Sequence, residues 1–319
     1  KWSDLVGIAA EKFKSWKDVD FVQEVALFTD LPVFVVNDAT AACHAEHLYG
    51  RGKEFRDYAY FFIGSFIGGG VALNGTVLEG NQGNAGALGS MRTTGPLGES
   101  QQLIDVASLH LLEARLVEAR AGRRQAVFVT GDIGMGKTSL LRAFGRRHAA
   151  EELEDRLHFA WGQCVARQDE GEPFSAFLDA LDRLARREDP GQLLDVLRRS
   201  APTWLAQLPW LLRPGEADEL RRSLGPVSTP RMLREFCGAA ESLARDLPLA
   251  LLLEDLQWGD PATVDLIGAL TERAEPARLL LLASYRPVDA AMLEHPIAPL
   301  RRRLEQRGAA CELPLEPLS

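Results

Sequence analysis

The stretch Ala126-Val-Phe-Val-Thr-Gly131-Asp-Ile-Gly-Met-Gly136-Lys137-Thr138 decides the fold of the larger part of the chain. A short apolar run comes first and has the length of a buried strand. A loop spaced by glycines follows, and a helical pattern begins at Lys137. The pattern G-x-x-x-x-G-K-T between a strand and a helix is typical of a phosphate-binding loop, or P-loop.

Each part of this loop has a physical reason. The glycines let backbone N–H groups surround a β-phosphate without obstruction by Cβ, and the helix N-terminus adds its dipole. We expect Lys137 to bridge the β- and γ-phosphates and the Thr138 hydroxyl to ligate Mg²⁺. The predicted nucleotide-binding residues are Gly131, Ile133, Gly134, Met135, Gly136, Lys137, Thr138 and Ser139. The predicted cofactors are therefore ATP and Mg²⁺; the alternative is a glycine-rich turn before a helix.

Strands and helices alternate on both sides of the loop, which favours an α/β fold with a parallel sheet covered by helices. Residues 173–246 are predicted to be mainly helical, with breaks at prolines and glycines. The predicted strands are Ala126–Thr130, Leu157–Gly162, Leu249–Leu253, Leu279–Ser284 and Ala310–Leu313.

Two acidic residues follow the apolar run Pro248–Leu253. A nucleotide hydrolase needs such an acid at a strand end near the phosphate loop to hold the Mg²⁺ shell. By position, Glu254 would bind Mg²⁺ directly or through water, and Asp255 would polarise the attacking water. The order Glu–Asp reverses the commoner Asp–Glu, so the division of roles stays open. The alternative is a strand that ends in a solvated acidic turn.

Arg286 follows the predicted strand Leu279–Ser284. A cation at the end of a strand beside the P-loop strand can reach the γ-phosphate and report its loss. The predicted catalytic set is thus Lys137, Glu254, Asp255 and Arg286. An exposed arginine at a strand end is the alternative for the last of these.

Composition excludes several classes of function. The net charge of −9 argues against a general nucleic-acid coat, and no helix-turn-helix motif for reading DNA is visible. The four cysteines form no C-x-x-C pair, which indicates reduced thiols and a cytoplasmic location. No apolar run is long enough to cross a membrane. The chain begins with Lys1 rather than Met, which suggests a fragment.

Lysine usage changes along the chain. Residues 1–108 hold five Lys and three Arg, whereas residues 109–319 hold one Lys and twenty-seven Arg. This change is compatible with two segments of different origin. The single Lys of the second segment is Lys137, where the planar fork of Arg is no substitute for a compact ammonium.

Several motifs of the second segment together resemble the AAA-like signal-transduction ATPases (STAND class) of bacterial regulators. The resemblance covers about residues 113–319 and implies ATP binding with slow hydrolysis as a switch, with Arg286 as the sensor. Members of that class continue into a helical lid, which this chain is expected to lack, and they work beside other regulator domains or self-associate. The motifs are Ala121–Thr138, Trp161-Gly-Gln-Cys164, Ala201–Trp210, Leu253-Glu-Asp-Leu-Gln-Trp258 and Ser284-Tyr-Arg-Pro-Val288.

The first segment, about residues 1–112, is predicted to contain strands, turns and one helix. Pro32–Val36 has the character of a short buried strand, and a helix is predicted over Ala39–Tyr49. Tyr58–Ile63 is a second predicted strand. Gly68-Gly-Gly70 is predicted to be a turn, and Asn74-Gly75 is a two-residue hairpin signal.

Asn37-Asp38-Ala39, Gly64–Gly70 and Gly80–Gly86 resemble the ROK family, which has an actin-like fold and includes sugar kinases and sugar-responsive repressors. The resemblance implies that Asp38 would take a proton from a sugar hydroxyl, that Asn37 would bind a neighbouring hydroxyl, and that the Gly68–Gly70 turn would approach phosphates. The acid and His that the family carries after its A-G pair are replaced here, and its Cys-rich zinc loop is absent. These departures argue against sugar-kinase activity.

Three hypotheses for the whole chain therefore stay open. The first is a P-loop ATPase module of a bacterial signal-transduction or transcription regulator. The second is a ROK-type sugar-responsive regulator, or a sugar-kinase remnant, with a secondary nucleotide domain. The third is a fusion of two segments without an integrated function.

Overall fold

The computed structural model describes residues 19–81, 83–94, 100–106, 109–149, 156–166, 172–187 and 190–315. The chain divides into two compact units, Lys1–Leu111 together with Ser319, and Leu112–Leu318. Each unit has its own sheet. Among the described residues, no helix is both long and apolar enough to cross a membrane.

The first unit is built on a small antiparallel sheet in the order β1-β2-β3. Asn74 and Gly75 both have positive φ, at 54° and 73°, and form the tight turn that joins β2 to β3, as the hairpin signal predicted. The elements of this unit are α1 (Phe21–Ala26), α2 (Asp38–Tyr49), a 3₁₀ turn (Arg51–Glu54), β1 (Tyr58–Ile63), β2 (Ile67–Leu73), β3 (Thr76–Leu78), a 3₁₀ turn (Leu88–Ser90), β4 (Arg92–Thr94), β5 (Ser100–Gln102) and α3 (Leu103–Val106).

The prediction of a buried strand at Pro32–Val36 is wrong. This segment has no regular secondary structure, and Phe34 and Val35 are 81% and 72% exposed. The apolar pattern alone does not make a strand, because a strand also needs a neighbour to accept its backbone hydrogen bonds. Among the described residues, no strand pairs with this segment.

The prediction that Gly68–Gly70 form a turn is also wrong. These glycines lie inside β2 and pair with β1, with Gly69 opposite Phe61. A Cβ at Gly70 would lie 2.3 Å from the Cβ of Cys43 on α2. The glycines therefore let α2 pack closely on the sheet, and the phosphate-approaching turn expected from them is absent in the described residues.

The second unit has a five-stranded parallel sheet in the order β10-β6-β9-β8-β7. All five strands predicted from the sequence are present, and the helical region breaks at the predicted prolines and glycines. The elements are α4 (His110–Arg120), β6 (Gln125–Thr130), α5 (Lys137–Ala149), β7 (His158–Gln163), α6 (Ser175–Arg187), α7 (Pro190–Ser200), α8 (Pro202–Leu205), a 3₁₀ turn (Pro209–Leu211), α9 (Glu216–Leu224), α10 (Thr229–Asp246), β8 (Leu249–Glu254), a 3₁₀ turn (Leu256–Trp258), α11 (Pro261–Thr271), β9 (Leu279–Tyr285), α12 (Pro287–Met292), α13 (Ile297–Gln306) and β10 (Cys311–Pro314).

The two faces of this sheet are covered by different helices. Leu249, Leu251 and Leu253 of β8 point into a large apolar core that includes residues of α6, α7, α10 and α11. Alternate residues of a strand face opposite sides, so Leu252 and Glu254 face the other side. On that side α5 packs so closely that a Cβ at Gly145 would lie 2.7 Å from the ring of Phe159 on β7. Glu254 therefore faces the same side of the sheet as the helix that follows the P-loop.

Candidate nucleotide-binding site

The P-loop forms the turn between β6 and α5. Gly134 and Gly136 have φ values of 82° and 85°, a region that glycine adopts without the steric cost of a Cβ. Lys137 begins α5, and its side chain folds back along the loop. Its Nζ donates to the carbonyl oxygens of Gly131 at 2.7 Å and Asp132 at 2.8 Å.

Lys137 is a buried cation, with 7% of the residue exposed. Burial lowers the pKa of its ammonium, and the nearby charge of Arg286 lowers it further, whereas Asp255, Asp132 and Asp289 act in the opposite direction. These effects indicate that the charges of Arg286 and Asp255 lie near the ammonium of Lys137. A buried ammonium held only by carbonyl oxygens favours the approach of an anion.

The remaining loop residues differ in exposure. Ile133 is 72% exposed, and Ser139 is exposed on the first turn of α5. Thr138 and Met135 are half-buried. A glycine-rich loop that leads into a helix N-terminus is the arrangement from which the sequence predicts anion binding.

Glu254, the last residue of β8, is 1% exposed. Its Oε2 accepts a hydrogen bond from the indole Nε1 of Trp161 on β7 at 3.0 Å. Its Oε1 is buried and has no hydrogen-bond partner among the described residues. A buried carboxylate oxygen without a partner carries a desolvation cost that a cation would relieve.

Asp255 follows in a left-handed backbone conformation, with φ 57° and ψ 42°. Both carboxylate oxygens accept from side-chain amides: Oδ2 from Gln163 Nε2 at 3.2 Å, and Oδ1 from Gln257 Nε2 at 3.3 Å. Its backbone N–H donates to Ser284 Oγ on β9 at 3.3 Å. Asp255 is thus oriented from β7, from the 3₁₀ turn after β8, and from β9.

Arg286 follows the last residue of β9 and is the N-cap residue of α12. Its Nη1 contacts Oδ2 of Asp289 at 3.2 Å, and its backbone N–H donates to Gln257 Oε1 at 3.1 Å. Its Nε is buried without a hydrogen-bond partner among the described residues. The arginine predicted to sense phosphate is therefore already held by a carboxylate.

Sequence reasoning missed three polar residues of this site, Gln163, Gln257 and Asp289. The first two lie inside the STAND-like motifs Trp161–Cys164 and Leu253–Trp258. Their position next to a strand end was the available signal, but an amide side chain carries no charge pattern that predicts its partner.

The two residues predicted for sugar lie in the first unit at the start of α2. The Asn37 side chain accepts from the N–H groups of Ala39 and Thr40 at 3.1 and 3.2 Å, so it caps the helix. Asp38 is exposed, and its Oδ1 accepts from the N–H of Ala39 at 2.8 Å. Across the whole described part of the chain, including the P-loop region, no group of three or more His, Cys, Asp or Glu side chains is arranged to hold a metal ion.

Comparison with known proteins separates the same two parts of the chain. Residues 3–102 match the ROK family. The chain is similar to the bifunctional enzyme NanE/NanK of Brucella melitensis, with 34% identity over 105 residues, and to a beta-glucoside kinase of Listeria innocua, with 40% identity over 68 residues. A xylose repressor of Bacillus subtilis is 31% identical over 77 residues.

These matches are partial on both sides. They cover 33%, 21% and 24% of this chain, and 20%, 23% and 20% of the respective relatives. The chain thus spans about a fifth of the length of the curated relatives that it matches.

Solved structures are similar to the chain only at a distant level. The ORC2 protein of Aeropyrum pernix, solved as ADPNP–ADP complexes, has a TM-score of 0.33 and 15% identity, over 64% of this chain and 46% of that one. A ROK-family glucokinase of Streptomyces griseus in complex with glucose and AMPPNP has a TM-score of 0.27 and 18% identity, over 82% of this chain and 66% of that one.

The predicted fold class, a P-loop parallel sheet with flanking helices preceded by a partial ROK-type (actin-like) α/β segment, is confirmed. Residues 107–282, more than half of the chain, match the family described as the AAA ATPase domain and include the P-loop, Glu254 and Asp255. The chain therefore belongs to the AAA ATPase domain family, with a ROK-family segment before that domain.

Proposed function

We propose that the second unit binds Mg·ATP at the P-loop and hydrolyses it slowly. The observation that carries this proposal is the state of Lys137, which is buried and, among the described residues, hydrogen-bonds to the carbonyl oxygens of Gly131 and Asp132. The family match supports a nucleotide as the anion that this ammonium receives.

The donors near the loop fit Mg²⁺. This ion prefers oxygen ligands and usually combines one or two carboxylates with phosphate oxygens and water. The oxygen ligands would be the Thr138 hydroxyl, Asp255, and the Oε1 of Glu254, which has no hydrogen-bond partner among the described residues. When bound, Mg²⁺ would neutralise charge that develops on the phosphates.

Slow hydrolysis follows from the contacts that Asp255 and Arg286 make. Asp255 would orient the attacking water, but both of its oxygens are engaged by glutamine amides. Arg286 would reach the γ-phosphate only after it leaves Asp289. Turnover would therefore require a rearrangement at both residues, which suits a switch better than a fast enzyme.

We further propose that this unit is the ATPase module of a bacterial signal-transduction or transcription regulator. The STAND-like motifs and the ROK-family segment support this role, since a xylose repressor is among the relatives of that segment. The partners would be other regulator domains or further copies of the chain.

Titration with a fluorescent ATP analogue in the presence of Mg²⁺ tests the proposal. Lys137→Ala should weaken binding by at least about tenfold, because a charge-assisted contact to phosphate contributes roughly 1.5–3 kcal/mol. Lys53→Ala is the matched control, because Lys53 is an exposed lysine of the first unit and should leave binding unchanged. Equal affinity of the parent and Lys137→Ala would refute the proposal.

A second candidate function is sugar binding by the first unit at Asn37 and Asp38. The relatives named as sugar kinases and a xylose repressor favour it. Because the Asn37 side chain caps the helix, Asp38 is the main polar group of this pair that could bind a sugar. Thermal denaturation with glucose or N-acetylmannosamine, in the parent and in Asp38→Asn, tests this candidate. A sugar that raises the Tm of the parent alone would support it, and no shift in either protein would refute it.

A further inference from the structure

The side chain of Gln257 links the two residues on which the proposed hydrolysis depends. Gln257 lies in the 3₁₀ turn Leu256–Trp258 after β8 and is 1% exposed. A buried side-chain amide is costly unless its donor and acceptor are both satisfied. Gln257 satisfies them with one atom of Asp255 and one atom of Arg286.

The orientation of this amide is fixed by the chemistry of its partners. The backbone N–H of Arg286 can only donate, so it must meet Oε1, which it does at 3.1 Å. An ionised Asp255 carboxylate can only accept, so Oδ1 must face Nε2, at 3.3 Å. The reversed amide would place two donors together and two acceptors together.

From this geometry we propose that Gln257 is a positioning residue that couples the Asp255 carboxylate to the main chain at Arg286. The inference rests on the proposed ATPase function. Gln163 holds the other oxygen of Asp255, but it comes from β7 and is not among the described residues that hydrogen-bond to Arg286. Gln257 alone among the described residues contacts both Asp255 and Arg286 through its side chain.

The proposed coupling passes a movement of Arg286 to Asp255. A displacement of Arg286 toward a γ-phosphate would pull on its backbone N–H, and the amide of Gln257 would transmit this movement to Asp255. Among the described residues, neither Lys137 nor the glycines of the P-loop hydrogen-bond to Gln257, and Gln163 would still hold Asp255, so loss of the amide should leave ATP binding unchanged. The coupling should therefore act on the rate of hydrolysis rather than on the affinity for ATP.

Three variants of the full chain test this role. Gln257→Leu removes both contacts while filling a similar volume. Gln257→His is the conservative variant, because a neutral imidazole keeps one donor and one acceptor. Gln192→Leu is the matched control, since Gln192 Nε2 also donates to a carboxylate, Asp246 Oδ2 at 2.9 Å, but on the surface between α7 and α10.

We expect Gln257→Leu to lower kcat by about 10- to 100-fold, the range seen when a partner of a functional ligand is removed, with KM and the Kd for ATP unchanged within about twofold. Gln257→His should recover much of kcat, and Gln192→Leu should match the parent. The double variant Gln257→Leu with Asp255→Asn should be no slower than Asp255→Asn alone, because both changes break one coupled unit.

The outcomes that overturn the inference are distinct from failure of the proposed function. A parent that does not bind ATP would refute the proposed function itself. A parent that binds ATP without turnover would refute the hydrolytic part of the proposed function and the coupling role with it. A Gln257→Leu chain with the parental kcat, or fully additive effects in the double variant, would overturn the coupling role alone. A Gln257→Leu chain that loses ATP affinity and Tm together would show a purely structural role and would also overturn it.

Discussion

The guanidinium of Arg286 is paired with the carboxylate of Asp289, three residues further along the chain, at 3.2 Å. Both side chains are partly buried, at 27% and 30% exposed. The pair lies beside Lys137, whose pKa responds to both charges. Asp289 therefore pairs with the guanidinium that we propose to reach the γ-phosphate.

Asp289→Asn should release Arg286 and increase the preference of the protein for ATP over ADP. The increase should be about two- to fivefold, because a partly exposed ion pair contributes up to roughly 1 kcal/mol. Competition titrations with ATP and ADP measure the ratio. Asp218→Asn is the control, because Asp218 pairs with Arg221 at the same spacing on the surface of α9. An unchanged ratio in Asp289→Asn would contradict the proposed competition.

Trp161→Phe should destabilise the second unit by about 1–3 kcal/mol, because it leaves the buried Glu254 carboxylate without its indole donor. Trp210→Phe is the matched control, since its indole donates to Asp182 at an exposed site, and it should cost less than about 1 kcal/mol. Urea denaturation of both variants measures the difference. Equal losses of unfolding free energy would show that removing the donor to the buried Glu254 destabilises no more than removing the donor to the exposed Asp182.

Gly145→Ala and Gly238→Ala should change stability in opposite directions, although both glycines lie within helices. A Cβ at Gly145 would lie 2.7 Å from the Phe159 ring, so crowding should destabilise by about 1–3 kcal/mol. A Cβ at Gly238 on α10 would meet nothing within 4 Å, so the better helix former should stabilise by about 0.5–1 kcal/mol. Thermal denaturation of both variants gives the signs. A stabilised Gly145→Ala would contradict the packing of α5 on β7.

The Cys164 thiol should make stability depend on pH in the alkaline range. Burial raises its pKa from 9.0 to about 12, and the nearby Asp260, Asp255 and Asp179 contribute in the same direction. The folded state therefore holds a proton that the unfolded state releases between these values, so this stabilising contribution is present below pH 9 and is lost as the pH rises toward 12.

Comparison with Cys164→Ala isolates this contribution. Above pH 9 the free energy of unfolding of the parent should fall faster than that of Cys164→Ala, by about 1 kcal/mol per pH unit. Urea denaturation at pH 8, 9 and 10 measures both slopes. Parallel slopes would show that the thiol titrates normally in the folded chain.

The sequence predicted best those features that depend on neighbouring residues. The strands of the second unit are short apolar runs followed by polar residues, and their core side chains are buried as expected. The hairpin at Asn74-Gly75 follows from the backbone conformations that these two residues tolerate. The same local patterns brought Lys137, Asp255 and Arg286 to one edge of the sheet, since parallel strands end together.

The wrong or missing predictions concern features that depend on contacts between residues far apart in the sequence. Pro32–Val36 has the composition of a strand, but no described strand pairs with it. Gly68–Gly70 suggested a turn, yet the close approach of Cys43 on α2 is what requires them. Gln257 meets Arg286 only because β8 and β9 are neighbours, a pairing that no single strand reveals.

In the proposed function, the buried ammonium of Lys137 receives the phosphates of ATP. The most direct measurement is the Kd for Mg·ATP, by isothermal titration calorimetry, of the parent and of Lys137→Arg. The Arg variant keeps the positive charge, but its planar fork does not fit a cradle built for a compact ammonium 2.7 and 2.8 Å from two carbonyl oxygens. The parent should bind Mg·ATP, and Lys137→Arg should lose at least about tenfold in affinity, equivalent to 1.4 kcal/mol or more. Parental affinity in Lys137→Arg, or no binding by the parent, would contradict it.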